Sequence, residues 1–294
     1  MRKDKRVFAL GFFDGVHLGH QALLRECVSM ADKLGCQAAA ITFDRHPQSL
    51  FTATPPALIS TAASRHYLLR RYGIGPIYTF PVTPAVMSTP WRDFLQELLN
   101  WGAAGFVCGD DFHFGSRGEG NGEKLKMLCE ELGLPCVIVP EQTVDGIRIS
   151  STHIRSLIED GRMETAVKVL GHPHIISGIV VHGKSLGRTL GIPTANLLLE
   201  PEQVVPKFGV YACRCIVDGV GYPAVTNVGT RPTVSGVGVT VEPWILDFEG
   251  DLYDREITLE FYKFLRPEMK FPSLAALQAE IRKNAEETRR YFEK

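Results

Sequence analysis

Two histidines three residues apart, His17 and His20, follow a short apolar run and the segment Gly11-Phe12-Phe13-Asp14-Gly15. A strand that ends this way and runs into a helix presents free backbone N–H groups and a partial positive charge where open α/β sheets receive ligands. Gly15 and Gly19 let a phosphate approach the backbone closely, and with Gly11 and Phe13 they are the candidate nucleotide contacts of this segment. The two imidazoles can hydrogen-bond a phosphoryl oxygen as charge develops on it. Taken alone, the pair reads equally as a helix cap beside a core histidine, or as a zinc pair.

A second cluster, Ile149-Ser-Ser-Thr-His-Ile-Arg155, offers the hydroxyls and N–H groups of Ser150, Ser151 and Thr152 at a helix start, with Arg155 one turn inward. Such a cluster caps a helix, and it can also grip a leaving pyrophosphate. A third, Gly191-Ile-Pro-Thr-Ala-Asn196, places the oxygen donors Thr194 and Asn196 two residues apart, on one strand face, a donor type suited to a hard cation. The loop before it, from His182 to Pro193, carries Gly183, Lys184, Gly187, Arg188 and Gly191. Gly178 to Ser185 formally matches a phosphate-binding P-loop, but strand formers fill its centre, and two glycines and a proline follow the lysine where a helix would have to start. The match is rejected. Two phosphate-handling signatures on differently patterned halves suggest two ATP-dependent steps on one chain.

The elements that must position these residues follow from periodicity. Between Val7 and Gly171, VFALGFF, CQAAAITF, PIYTFPV, GFVCG and PCVIVP read as strands buried on both faces. Helical spacing of Leu24, Val28, Ala31 and Leu34 ends at Gly35, a left-handed cap, and Thr89 is expected to cap a helix with Pro90 at its first position. This alternation predicts a parallel sheet covered by helices. Two helical stretches, 151–160 and 163–170, then give way to six strand-like runs, with Asp218-Gly219 as a hairpin turn, predicting a small antiparallel barrel. A closing helix has Leu274, Leu277, Ile281, Ala285, Thr288 and Phe292 on one face. The expected domains are 1–172 and 173–294.

With 294 residues, 45% hydrophobic, 22% charged and a net charge of −1, the chain is long enough for two cores and does not carry a polyanion-binding charge excess. Nucleic acid and membrane are therefore not expected partners. The basic N-terminal residues precede an apolar run too short for a signal sequence. Seven cysteines without a CxxC pair suggest reduced core thiols and a cytoplasmic setting.

The histidine pair and the ISSTHIR cluster together resemble the nucleotidyltransferase superfamily. With TFDRHP (42–47) and GDDFHFGSRGEGN (109–121), the first half resembles the FAD synthetase module of bacterial bifunctional riboflavin kinase/FMN adenylyltransferases. The second half resembles their kinase module through GIPTAN, GVYA (209–212), NVGTRPTV (227–234), VEPWILDF (241–248), DLYDREITLEF and FLRPEMKF. The resemblance implies a Rossmann-like N-terminal domain with a parallel sheet, and a six-stranded antiparallel barrel with a C-terminal helix. It implies riboflavin, FMN and ATP as substrates, Mg2+ as cofactor, and FMN and FAD as products. By the same resemblance, His46, Asp111, Asn227 and Arg231 contact flavin, Thr194 and Asn196 hold the metal, and the glycine-rich loop covers ATP. His17, His20 and Arg155 serve the adenylyl transfer, and Glu242 is the base for the kinase step. The chain departs from the family at Asp111, often Asn in relatives, and at Pro243-Trp244, where relatives commonly read Thr-His. A single-activity relative or a flavin-binding regulator on the same fold is the alternative.

Overall fold

The computed structural model describes residues 5–182, 191–233 and 236–293, with the backbone alone described at 231–233 and 236–237. By its internal contacts the chain forms two compact units that divide between Ser151 and Thr152.

In the first unit, strands β1 (Arg6–Leu10), β2 (Gln37–Phe43), β3 (Ile77–Phe80), β4 (Ala103–Gly109) and β5 (Cys136–Val139) form a parallel sheet in the order β3-β2-β1-β4-β5. The five apolar runs read from the sequence are these five strands. Parallel neighbours need crossovers, which helices supply: α1 (Leu18–Leu34), α2 (Ala62–Arg71), α3 (Pro84–Met87), α4 (Trp91–Asn100) and α5 (Gly122–Leu132). Strand order reverses between β1 and β4, so the crevice beyond their carboxyl ends is where such a sheet receives a ligand. Phe8, Leu10, Ile41, Leu95, Phe106 and Leu125 are buried in the core that holds these strands and helices together.

The helix ends follow the sequence rules with one correction. Gly35 closes α1 at φ 65°, donating its N–H to Ala31 and Asp32 carbonyls. Thr89, expected to cap α4, instead turns its hydroxyl back to the Ala85 carbonyl, and Pro90 is the cap residue. The preceding short helix α3 ends close enough to capture the hydroxyl first. A two-stranded hairpin, β6 (Thr143–Val144) with β7 (Ile147–Arg148), turns at Asp145-Gly146 and leads directly into the serine cluster.

In the second unit, strands β8 (His174–Ile179), β9 (Leu197–Leu198), β10 (Gly209–Val217), β11 (Val220–Thr233), β12 (Gly236–Ile245) and β13 (Glu256–Arg266) pair antiparallel in the order β8-β13-β10-β11-β12-β9. The two ends of that sheet approach each other, with the Val181 amide donating to the Asn196 carbonyl at 2.9 Å, which nearly closes a barrel. Asp218 (φ 49°) and Gly219 (φ 81°) make the expected two-residue turn between β10 and β11. Helices α6 (Ser151–Glu159) and α7 (Met163–Leu170) precede the barrel, and the Ile158 carbonyl of α6 accepts from the Lys207 amide. The closing helix α8 (Leu274–Phe292) buries Asn284, Ala285 and Thr288. Leu274, expected on that face, is 61% exposed because the helix has only just begun there.

Candidate active sites

The turn after β1 is built from backbone geometry that L-residues rarely adopt. Phe13 (φ 59°), Gly15 (φ 78°) and Val16 (φ 40°) all have positive φ, and for a β-branched valine this is a strained conformation. A Cβ on Gly15 would lie 2.8 Å from Ile59, so glycine is required there both by φ and by space. The strain is held by a buried carboxylate that sequence reasoning did not single out. Asp14 Oδ1 accepts from the Ile59 and Ser60 amides at 2.9 and 3.0 Å, and the Gly15 amide donates to Ser60 Oγ at 3.0 Å. Strain and anchor together fix the entry to α1.

His17 is the cap of α1, its Nδ1 accepting from the His20 amide at 3.3 Å. That bond leaves the proton on Nε2. The two imidazoles stack with centroids 3.7 Å apart and planes 13° from parallel, and the edge of Phe13 meets His20 at 5.3 Å. Burial first, then the charges of His17 and Arg65, hold His20 well below its ordinary pKa, so it is neutral at pH 7. Its Nδ1 is buried without a hydrogen-bond partner among the described residues. A neutral imidazole can donate one hydrogen bond or accept one without adding a fixed charge beside a phosphate.

Gly11 directly follows β1, and Gly19 lies between the two histidines in the first turn of α1. Ser151, first residue of α6, donates its hydroxyl to the Asp14 carbonyl at 3.1 Å, so the serine cluster starts at the same turn. Ser150 precedes it, and Thr152 and Arg155 follow on α6 beyond the division of the units. His46 caps a short turn after β2, its Nδ1 accepting from the Gln48 amide, and the Phe12 ring meets it edge-on at 5.2 Å. A neighbouring cavity of about 130 Å3 is lined by Gly11, Phe43, Pro47, Phe80, Phe112 and Phe114 among others, an aromatic enclosure suited to a planar ring. Beyond β4, the Asp110 carboxylate accepts from the Glu141 amide, while Arg148 pairs with Asp111 at 3.5 Å and with Glu141.

The barrel unit builds its site from side chains in register. On paired strands Asn227 stands directly opposite Glu242, and Val225 opposite Trp244. Alternation puts Asn227 and Val225 on one face with Glu242 and Trp244. All four line a pocket of about 400 Å3, closed by Arg266, Glu268 and Phe271. Glu242 is half-buried and accepts from Thr240 Oγ1 at 3.4 Å. Thr194 lines this pocket and also a smaller one of about 100 Å3 that includes Pro193, Pro243, Phe248 and Tyr253. Thr194 therefore borders both pockets. Asn196 is 9% exposed and lies outside both linings, because Thr194–Asn196 precede β9 in extended coil. Gly191 is exposed. Gly183, Lys184, Gly187 and Arg188 lie outside the described residues, as does the Arg231 side chain.

Glu268 was missed by sequence reasoning. Its carboxylate rests against Gly229, beside Asn227, in a segment that carries no secondary-structure signal. Among the described residues no cluster of three His, Cys, Asp or Glu side chains could hold a metal, and no helix is long and apolar enough to cross a membrane. The seven cysteines are free thiols.

The family model for FAD synthetase matches residues 1–153, and that for riboflavin kinase matches residues 170–292. A protein from Listeria monocytogenes called bifunctional riboflavin kinase/FMN adenylyltransferase is 33% identical, over 98% of this chain and 93% of its own length. The protein of the same description from Escherichia coli K12 is 36% identical, over 97% and 92%. A crystal structure from Streptococcus pneumoniae described as a macrolide-efflux protein superposes with a TM-score of 0.87 at 32% identity, covering 98% of this chain and 95% of that one.

Proposed function

The chain belongs to the bifunctional riboflavin kinase/FMN adenylyltransferase family, and on that premise we propose how its two units divide two ATP-dependent reactions. In the barrel, the ribityl 5′-hydroxyl of riboflavin attacks the γ-phosphorus of ATP, giving FMN and ADP. Glu242 takes the proton of that hydroxyl, Asn227 and Arg231 hold the flavin, and Lys184, Arg188 and the glycines 183, 187 and 191 cover the nucleotide. Thr194 and Asn196 supply oxygen donors of the kind Mg2+ takes, and the ion would supply positive charge for the transferring phosphate. A site with few protein ligands fits that ion, which completes its shell with water and substrate phosphates.

In residues 1–172, a phosphate oxygen of FMN attacks the α-phosphorus of a second ATP, giving FAD and pyrophosphate. The amides at the start of α1, with Gly11, Phe13, Gly15 and Gly19 around them, receive the nucleotide phosphates. His17 and His20 hydrogen-bond the reacting phosphoryl group as its charge redistributes. Ser150, Ser151, Thr152 and Arg155 hold the leaving pyrophosphate, and His46 and Asp111 meet the flavin. Neither step needs a covalent intermediate, since positioning and charge stabilisation carry phosphoryl transfer. We assign the first reaction to residues 173–294 and the second to 1–172, in a cytoplasmic enzyme.

The observation that carries this division is that Glu242, Asn227 and Thr194 line one pocket of the barrel, whereas His17 and His20 follow β1 at the reversal of strand order in the other unit. The test is a time course with riboflavin, ATP and Mg2+, resolved by chromatography. FMN should rise before FAD, and supplied FMN should give FAD without a lag. Chelation of Mg2+ should stop both steps, and absence of either product at saturating substrate would refute the assignment.

A further inference from the structure

Arg65 stands in the first half of α2 with its side chain wholly buried. A guanidinium is tolerated in a protein interior when its charge is paired and its five N–H donors are satisfied. Neither condition is met in full. Nη2 donates to the Phe43 carbonyl, while Nε and Nη1 have no hydrogen-bond partner among the described residues. Asp14 and Asp44 lie near enough to favour the charge, yet both carboxylates already accept from backbone amides, of Ile59 and Ser60 in one case and Val82 in the other. Methionine would fill the same space without stranding two donors, but it would leave the buried Asp14 carboxylate without the cation that faces it.

Its contacts point to the site. The guanidinium carbon lies 4.6 Å over the ring of Phe12, the residue after Gly11 at the end of β1. The carbonyl it holds belongs to Phe43, the last residue of β2 and part of the aromatic cavity. The far side of this arrangement is His46, met by the edge of the Phe12 ring at 81°. One planar cation thus ties two ligand-facing strand ends together, and an aromatic ring carries the constraint to a third residue.

We propose that Arg65 is a positioning residue of the adenylyltransferase site, clamping Phe12 to the end of β2 and thereby fixing His46 where the flavin of FMN is received. This rests on the assignment of FMN adenylylation, and of a flavin contact at His46, to the first unit. The clamp needs a delocalised plane as well as a charge, so lysine cannot replace it.

The test is steady-state FAD formation by full-length Arg65→Met and Arg65→Lys proteins, with FMN formation from riboflavin and thermal melting measured alongside. The clamp predicts a KM for FMN raised at least about tenfold in both, with kcat changed by less than about threefold. FMN formation stays at the wild-type value in both, and the melting temperature stays at the wild-type value in Arg65→Lys, which keeps the charge beside Asp14. In a double-mutant cycle, Arg65→Met added to His46→Ala gives no further rise in KM, because both act through one contact. A wild-type KM in Arg65→Lys, additive effects in the cycle, or a kcat loss that follows a lowered melting temperature overturns the clamp. If the methionine protein does not fold, the lysine protein decides between these outcomes. Wild-type protein that makes no FAD from FMN would instead remove the assignment itself, and the clamp with it.

Discussion

On the proposed assignment the two units solve the same problem, holding a phosphate and a flavin, with different materials. In the first, the site is mostly backbone: three positive-φ residues, a helix start and a histidine already committed to capping it. Its geometry depends on buried polar anchors, Asp14 above all, that never need to touch substrate. In the barrel, the site is mostly side chain, and pairing register aims it: Asn227 faces Glu242 because β11 and β12 pair at that position. A one-residue slip would turn every one of those groups to the other face. A backbone-built site is therefore expected to respond to changes behind it, and a strand-built site to changes in the groups that line it.

The largest effect expected from breaking this contrast is at Glu242. Glu242→Gln keeps the shape and removes the proton acceptor, so FMN formation should fall by roughly 10² to 10⁴. FAD formation from supplied FMN should persist, because the attacking phosphate is already ionised and the reaction lies on the other unit. Next comes His20→Ala, which removes a phosphoryl hydrogen bond and should lower FAD formation by about 10² to 10³ with FMN formation unchanged. Equal loss of both activities in either protein, measured by flavin chromatography, would contradict separate sites.

A smaller effect sharpens the comparison through stability. His174, at the start of β8, is 1% exposed, with neither ring nitrogen hydrogen-bonded among the described residues and its ring 5.9 Å from that of Phe261. Burial, then the charge of His172, push it down to about 3. Below pH 6.5 the unfolded chain takes up a proton that the folded barrel refuses, so stability falls as pH drops from 6.5 toward 3. His174→Phe should abolish that term, sparing about 2 kcal/mol of the loss between neutral pH and pH 5. Denaturant melts at pH 7.5 and pH 5 check this, and identical pH dependence in both proteins would place the acid sensitivity elsewhere.

The fold was legible where burial is continuous. Strands β1 to β5 announced themselves as apolar runs, and Asp218-Gly219 as a turn. The hairpin β6–β7 escaped notice because two-residue strands carry no periodicity, although Asp145-Gly146 was a usable signal. The candidate site residues were legible only as motif residues, with Glu242 on a strand between Val241 and Pro243. What the sequence hid is what three dimensions create: Asp14 reaching 45 residues along the chain to Ile59, Arg65 beneath Phe12, and Glu268 against Gly229. None of these has a spacing that reports its partner.

The central claim is that residues 1–172 and residues 173–294 each complete one reaction, with FMN passing through solution and no catalytic group shared. It is tested most directly by mixing two inactive partners. Glu242→Gln protein given riboflavin, ATP and Mg2+ should make little FMN, and His20→Ala protein should stop at FMN. The mixture should make FAD after a lag set by FMN accumulation. A mixture that accumulates FMN and makes no FAD, or a His20→Ala protein that makes no FMN, would contradict the account.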